Sequence, residues 1–152
     1  MNMRIVTIVA VCTAALVAVL PAAAKTPPRS VVARVGIEVA KLGLASGRVD
    51  NAVSKCTSKA CLATSFDAYY KQAHVLDGAL QALWNASGRS GLCASAAANA
   101  GAGFDSVTTD YHSLEAAAVN RNKAAERRAY GRIQAKVTRL TAVLNSFKTK
   151  CR

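Results

Sequence analysis

The chain has 152 residues, which fits one domain, and it is strongly basic, with 20 Lys and Arg residues against 8 Asp and Glu. A chain of this size buries roughly two thirds of its unfolded surface, so a stable core does not require a structural metal. The net charge of +12 suits an anionic partner rather than a cationic one.

The first residues have the pattern of an export signal. A short positive start that includes Arg4 precedes an uncharged apolar run, and Ala22 and Ala24 fit the small-residue rule for cleavage. We therefore predict a cleaved signal peptide at residues 1–24, of a type that is common in bacteria, and a single secreted or periplasmic domain at 25–152. The apolar run is short for a membrane span, which takes ~20 residues, so a retained anchor is the less favoured alternative.

Apolar residues recur at helical spacing along four segments of the remaining chain. Ser46-Gly47 is expected to end the first helix, although Val49 and Val53 could continue a short helix before Cys56. Gly101 with Gly103 permits a kink in the third helix. Short connections between four helices favour antiparallel packing, so we predict an all-α, antiparallel up-down four-helix bundle clamped by two disulfides. The predicted helices span about residues 31–45, with Ser30 as the N-cap, and then 59–86, 92–119 and 124–150.

Four cysteines follow the predicted signal peptide, and an even count in an exported chain indicates two disulfides. In an up-down bundle, Cys56 and Cys61 share the first turn, whereas Cys93 and the chain end with Cys151 lie at the opposite pole. We therefore predict the pairs Cys56–Cys61 and Cys93–Cys151. Metal binding is less favoured because there is no Cys-x-x-Cys pair, so neither a metal site nor a cofactor is predicted.

The last predicted helix has an unusual charge pattern. Residues 119–152 contain ten Lys or Arg and a single acid, Glu126. At about 100° per residue, five bases fall near one line away from the apolar face, and those at successive fours repel each other by a few tenths of a kcal/mol. Such a stripe either binds an anionic partner or is neutralised by acids of neighbouring helices such as Glu115. The stripe consists of Arg121, Arg128, Arg132, Lys136 and Arg139.

Two His-x-x-acid pairs, His74 with Asp77 and His112 with Glu115, occur on neighbouring predicted helices. A rise of about 1.5 Å per residue puts the two histidines roughly 10 Å apart in height, too far for one ion, so ordinary ion pairs are expected. Tyr70 and His74, four residues apart on one helix face, are residue types that can ligate haem iron. The alternative function is therefore a carrier of haem or a small apolar ligand within the bundle.

No residue pattern supports catalysis. There is no Gly-x-Ser-x-Gly motif and no phosphate-binding glycine loop after a strand, and the four cysteines are expected to be oxidised. We predict a non-enzymatic exported protein that docks an anionic partner through its last helix. The partners considered are a cell-envelope polymer, an anionic lipid in peripheral membrane contact, or an acidic protein, as an inhibitor or immunity protein would bind; specific nucleic-acid recognition is not predicted.

Overall fold

The computed structural model describes residues 24–152. Helices follow in the order α1 (Arg29–Lys55), α2 (Lys59–Ala86), α3 (Gly91–Val119) and α4 (Lys123–Lys150), and no strand occurs in this part of the chain. The closest packing is between helices that are consecutive in sequence, and short turns reverse the chain between them. The result is the predicted all-α, up-down bundle.

The predicted signal peptide lies outside the described residues, apart from its last residue, Ala24. The described part of the chain starts beside the α2–α3 turn, where the backbone amide of Lys25 donates to the carbonyl of Ser87 at 3.2 Å. Within the described range, no helix is long and apolar enough to cross a membrane.

The first helix is longer than its sequence predicts. The predicted end at Ser46-Gly47 is wrong, because α1 continues to Lys55. Gly47 lies on the solvent side, where an added Cβ would have no atom within 4 Å, while Val49 and Ala52 are buried in the core. Burial of these two side chains outweighs the cost of roughly 1 kcal/mol that glycine imposes on a helix.

Two of the helices have a side-chain N-cap. Ser58 caps α2 and Asn122 caps α4, each accepting a hydrogen bond from the backbone amide three residues on, at 3.2 and 3.0 Å. The predicted cap at Ser30 is wrong, because α1 starts at Arg29, two residues earlier than predicted, and Pro28 occupies the N-cap position without a side-chain hydrogen bond. Proline in this place has no amide hydrogen that would need a partner.

Large side chains from all four helices fill the core, and small residues of α3 let its neighbours approach. α3 runs unbroken through Gly101 and Gly103. A Cβ at Gly103 would lie 2.9 Å from Cδ1 of Leu140, so this glycine makes room for α4. The largest fully buried side chains are Tyr69, Phe66, Leu76, Leu83, Leu114, Val35 and Val49.

Both predicted disulfides are confirmed. Cys56 and Cys61 join the end of α1 to the start of α2, with their Cα atoms 5.7 Å apart. Cys93 near the start of α3 joins Cys151 at the end of α4, with a Cα separation of 4.7 Å. Two disulfides indicate an oxidising compartment, and the second one fixes the last turn of α4 to the bundle.

Candidate functional site

The basic side chains of α4 form a row on its outer side. We call Arg128, Arg132, Lys136 and Arg139 the α4 basic row. Tyr130 points to α1, where its hydroxyl pairs with the carboxylate of Asp50. At about 100° per residue, Arg128 and Arg139 lie roughly 160–180° around the helix from Tyr130. The row therefore faces away from α1, and Arg128 and Arg139 are exposed.

The fifth predicted residue, Arg121, lies apart from this row. Its projection onto the line of the stripe does not hold, because α4 begins at Lys123, close to the predicted start at residue 124, and Arg121 occupies the preceding turn with a φ of 53°. Its guanidinium reaches across to the α1–α2 turn, where it donates a hydrogen bond to the carbonyl of Thr57 at 3.1 Å. Arg121 is exposed and adds positive charge at this pole of the bundle.

A buried carboxylate of α3 holds the centre of the row. Asp110, only 4% exposed, accepts a hydrogen bond from Nε of Arg132 at 2.7 Å, and Nζ of Lys136 lies 2.5 Å from its other oxygen. Lys136 also donates to the backbone carbonyl of Ser106 at 3.0 Å. Neutralisation by a neighbouring helix, one of the two alternatives for the stripe, thus occurs at two of the four bases, and the acid responsible is Asp110 rather than Glu115.

These contacts decide the charge state of Asp110. Burial alone would raise the pKa of this carboxyl, but the hydrogen bonds from Arg132 and Lys136, together with the charges of both, outweigh that effect and lower the pKa below its usual value. Asp110 is therefore ionised at neutral pH. Its two cationic partners are held in fixed positions while their outer parts stay partly exposed to solvent.

The ends of the row keep their charge uncompensated. Arg128 and Arg139 have no ion pair or hydrogen bond with any described residue. The single acid of α4, Glu126, is buried and already bound by Lys123 at 2.9 Å. The outer side of α4 therefore combines two anchored bases with two free ones, a suitable arrangement for carboxylate, phosphate or sulfate groups.

The possible ligand pair Tyr70 and His74 is not arranged as a ligand site. The hydroxyl of Tyr70 donates to the carboxylate of Glu115 at 2.8 Å, and its ring stacks on His112 with centroids 4.2 Å apart. Burial, followed by the hydrogen bond and charge of Glu115, strongly raises the pKa of Tyr70, which disfavours the tyrosinate that binds iron. His74 is exposed, and the described residues contain no cluster of three or more potential metal ligands.

A polar cluster inside the bundle was not predicted from the sequence. Tyr69 and Tyr111 stack with centroids 3.9 Å apart, and the Tyr111 hydroxyl is hydrogen-bonded to Ser46 of α1. The pair of Tyr130 and Asp50 lies nearby, so the cluster links α1 to both α3 and α4. The three tyrosines lie at similar distances from the same pole of the bundle, near the N-terminal ends of α2 and α4 and the C-terminal end of α3, a signal that a comparison of heights along the bundle could have detected.

No family model, curated protein or solved structure matches the chain. Its function is therefore inferred from its own residues and their geometry. Two features distinguish α4 in this respect: the concentration of positive charge on one side of the helix, and the buried Asp110 that fixes part of that charge in place.

Proposed function

We propose that this chain is an exported, non-enzymatic binding protein that docks an anionic partner through the α4 basic row. The proposal rests on one observation: the row combines two free bases, Arg128 and Arg139, with two other bases that Asp110 holds in position. Anchored side chains lose less conformational freedom on binding than free ones do, so a larger part of the electrostatic attraction contributes to affinity.

The distribution of charge along the chain supports the same surface. Residues 119–152 contain ten bases and one acid, and that acid is used internally by Lys123. Arg4 is the only charged residue of the predicted signal peptide, so residues 25–152 carry a net charge of +11. A concentrated positive field of this kind accelerates the encounter with an anionic surface and orients it toward α4.

Two further features support export as the setting. Disulfides persist in oxidising compartments, and the first 24 residues have the composition of a cleavable signal peptide. In a secreted or periplasmic setting, the available anionic partners are cell-envelope polymers, anionic lipid and acidic proteins. An inhibitor or immunity protein that covers an acidic site of a secreted enzyme is one form of this function.

A capture experiment tests the proposal. Immobilised protein is exposed to envelope extract and culture fluid of the source organism, and we expect it to retain a partner that elutes with increasing salt. The variant Arg128→Glu/Arg139→Glu should lose this partner. The matched control is Lys59→Glu/Lys71→Glu, which makes the same change in net charge on exposed residues of α2. Equal retention by both variants would contradict docking through α4.

A further inference from the structure

The outward side of α1 carries two large apolar side chains that no other helix covers. Ile37 is 55% exposed and Leu44 is 69% exposed, and their spacing of seven places them along one line. Glu38 marks the side of α1 that faces α2, and Asp50 marks the side that faces α4. Both lie roughly 100–140° around the helix from Ile37 and Leu44, so these two side chains, the α1 ridge, point to solvent.

Small residues surround the α1 ridge. Ala33 and Ala40 are exposed next to it, and a Cβ added at Gly36, Gly43 or Gly47 would have no atom within 4 Å. No long polar side chain therefore stands beside the ridge on this flank. Ile37 and Leu44 are the most prominent groups of the outward face and can enter an apolar phase without being held away from it.

The other flank of the ridge is basic. Arg34, Lys41, Arg48 and Lys55 follow one another at intervals of seven, which we call the α1 basic flank. Arg34 and Lys41 each precede a ridge residue by three positions, which places them roughly 60° around the helix from the ridge. Of these four bases, only Lys41 forms an ion pair with a described residue, which is Glu38 at 3.0 Å.

The acids of α1 neutralise this flank only in part, through the ion pair of Glu38 with Lys41. Glu38 is buried and accepts hydrogen bonds from Lys41 and from Nε2 of Gln72, the latter at 2.7 Å. Asp50 pairs with the hydroxyl of Tyr130 on α4. The net charge that α1 presents beside its apolar ridge is therefore positive, because the four bases of the flank outnumber Glu38 and Asp50.

We propose that α1 is a docking surface for an anionic lipid bilayer, with the α1 ridge at the boundary between headgroups and acyl chains and the basic flank on lipid phosphates. An apolar line bordered by Lys and Arg is the arrangement of helices that lie in the plane of a membrane interface. A second copy of the chain suits this face less well, because two molecules with a net charge of +11 each repel one another, whereas an anionic bilayer attracts them.

This surface is separate from the α4 basic row. Arg128 and Arg139 lie on the side of α4 that faces away from α1, so a bilayer bound to α1 leaves them free for another partner. The inference therefore does not depend on the function proposed for α4. Its consequence is that the protein can hold an acidic ligand at a membrane surface.

Vesicle co-sedimentation tests the membrane surface. Residues 25–152, which include all four helices and both disulfides, are mixed with vesicles of phosphatidylglycerol and phosphatidylcholine or of phosphatidylcholine alone. We expect binding to the anionic vesicles only. Ile37→Gln/Leu44→Gln should lower the partition coefficient about ten-fold, because the apolar contribution is lost. Arg34→Gln/Arg48→Gln should lower it as well, and more salt should mimic that loss.

Matched controls identify the surface. Val75→Gln/Leu92→Gln removes two apolar side chains of other helices that are 39% and 70% exposed, and it should bind as the unaltered protein does. Lys59→Gln/Lys71→Gln is the corresponding charge control. Circular dichroism and the melting temperature should be unchanged in all variants, since only exposed side chains are replaced.

Three outcomes would overturn the inference. One is an equal loss of vesicle binding in the ridge variant and its apolar control. Another is vesicle binding that Arg128→Glu/Arg139→Glu abolishes while the ridge variant leaves it intact, which assigns lipid to α4 and leaves the proposed function standing. The third is a dimer in solution that the ridge variant converts to a monomer, which assigns the face to a second copy.

Discussion

Asp110 is the residue that distinguishes an ordered basic surface from a loose one. It is buried in α3, it contacts both central bases of the row, and its ionised form is favoured despite its burial. The free bases Arg128 and Arg139 stand on either side of this anchored centre. Positioning of the row thus depends on a side chain that a partner would not touch.

Replacing the carboxylate should weaken the fold moderately. Asp110→Asn keeps the shape of the side chain but removes the charge that Arg132 and Lys136 share. We expect the free energy of unfolding to fall by about 1–2 kcal/mol, at the lower end of the range for charged hydrogen bonds because both cations are partly in water. Urea denaturation monitored by circular dichroism measures the change, and an unaltered unfolding free energy would show that the pair contributes only position.

We also expect the stabilisation by Asp110 to depend on pH, and Asp110→Asn tests this. The pKa of Asp110 is lowered in the folded protein, so its stabilisation is present above the ordinary value of 3.8 and is lost as the pH falls through the folded pKa below it. The difference in unfolding free energy between the unaltered protein and Asp110→Asn should therefore be constant near neutrality and vanish in acid. A difference that persists at the lowest pH would contradict the assigned charge state.

Three other carboxylates have raised pKa values, and their effect on the pH dependence of stability is opposite to that of Asp110. Burial raises the pKa of Asp50 and that of Asp77. The hydrogen bond from Tyr130 partly opposes this shift at Asp50, and the charge of His74 partly opposes it at Asp77. Burial raises the pKa of Asp105 as well, and the charge of Asp77 adds to that effect. These three groups favour folding in acid, and that contribution is lost as the pH rises through their folded pKa values. Comparison with Asp110→Asn separates the effect of Asp110 from theirs.

At the level of the helices, glycine has different consequences in different places. A Cβ added at Gly131 of α4 would stand in open space, whereas a Cβ at Gly103 of α3 meets buried Leu140 at 2.9 Å. Gly131→Ala should stabilise the protein by about 0.5–1 kcal/mol through the loss of chain entropy in the unfolded state. At Gly103→Ala, displacement of Leu140 should cancel this gain or exceed it.

Thermal or urea unfolding of these two variants distinguishes the roles of the glycines. Equal stabilisation by Gly131→Ala and Gly103→Ala would mean that α3 and α4 do not depend on the close approach at Leu140. The comparison is matched, since both changes add one methyl group to the interior of a long helix.

Both disulfides stabilise the folded molecule, but by different amounts. Cys93 and Cys151 are 58 residues apart in sequence, whereas Cys56 and Cys61 are only 5 apart. On the chain-entropy account, Cys93→Ser/Cys151→Ser should cost about 4 kcal/mol and Cys56→Ser/Cys61→Ser about 2 kcal/mol. Denaturant titrations of both double variants measure the order, and a larger loss from the short-loop variant would contradict it.

Much of the architecture can be predicted from the sequence, because the segments with helical periodicity are long and the cysteines lie at predictable ends of the helices. The pairing of Cys93 with Cys151 follows from up-down topology alone. The end of α1 does not, because a Ser-Gly pair resembles a helix stop, and only the burial of Val49 and Ala52 shows that the helix continues.

The details of the basic surface depend on contacts between helices. A helical wheel locates Arg132 and Lys136 on α4, but it does not reveal that Asp110 of α3 stands opposite them. It also projects Arg121 onto the line of the stripe, although this residue lies in the turn before the helix. The α1 ridge escapes prediction for a related reason: the apolar pattern does not say which apolar residues a neighbouring helix leaves uncovered.

We propose that the position of charge on α4, and not its amount, decides the binding of an anionic partner. Elution from immobilised heparin, a defined polyanion, tests it directly when Arg128→Glu/Arg139→Glu and Lys59→Glu/Lys71→Glu are compared, because both variants have the same net charge. We predict that the α4 variant elutes at clearly lower salt than the α2 variant, which should elute close to the unaltered protein. Elution of the two variants at the same salt concentration would contradict the claim.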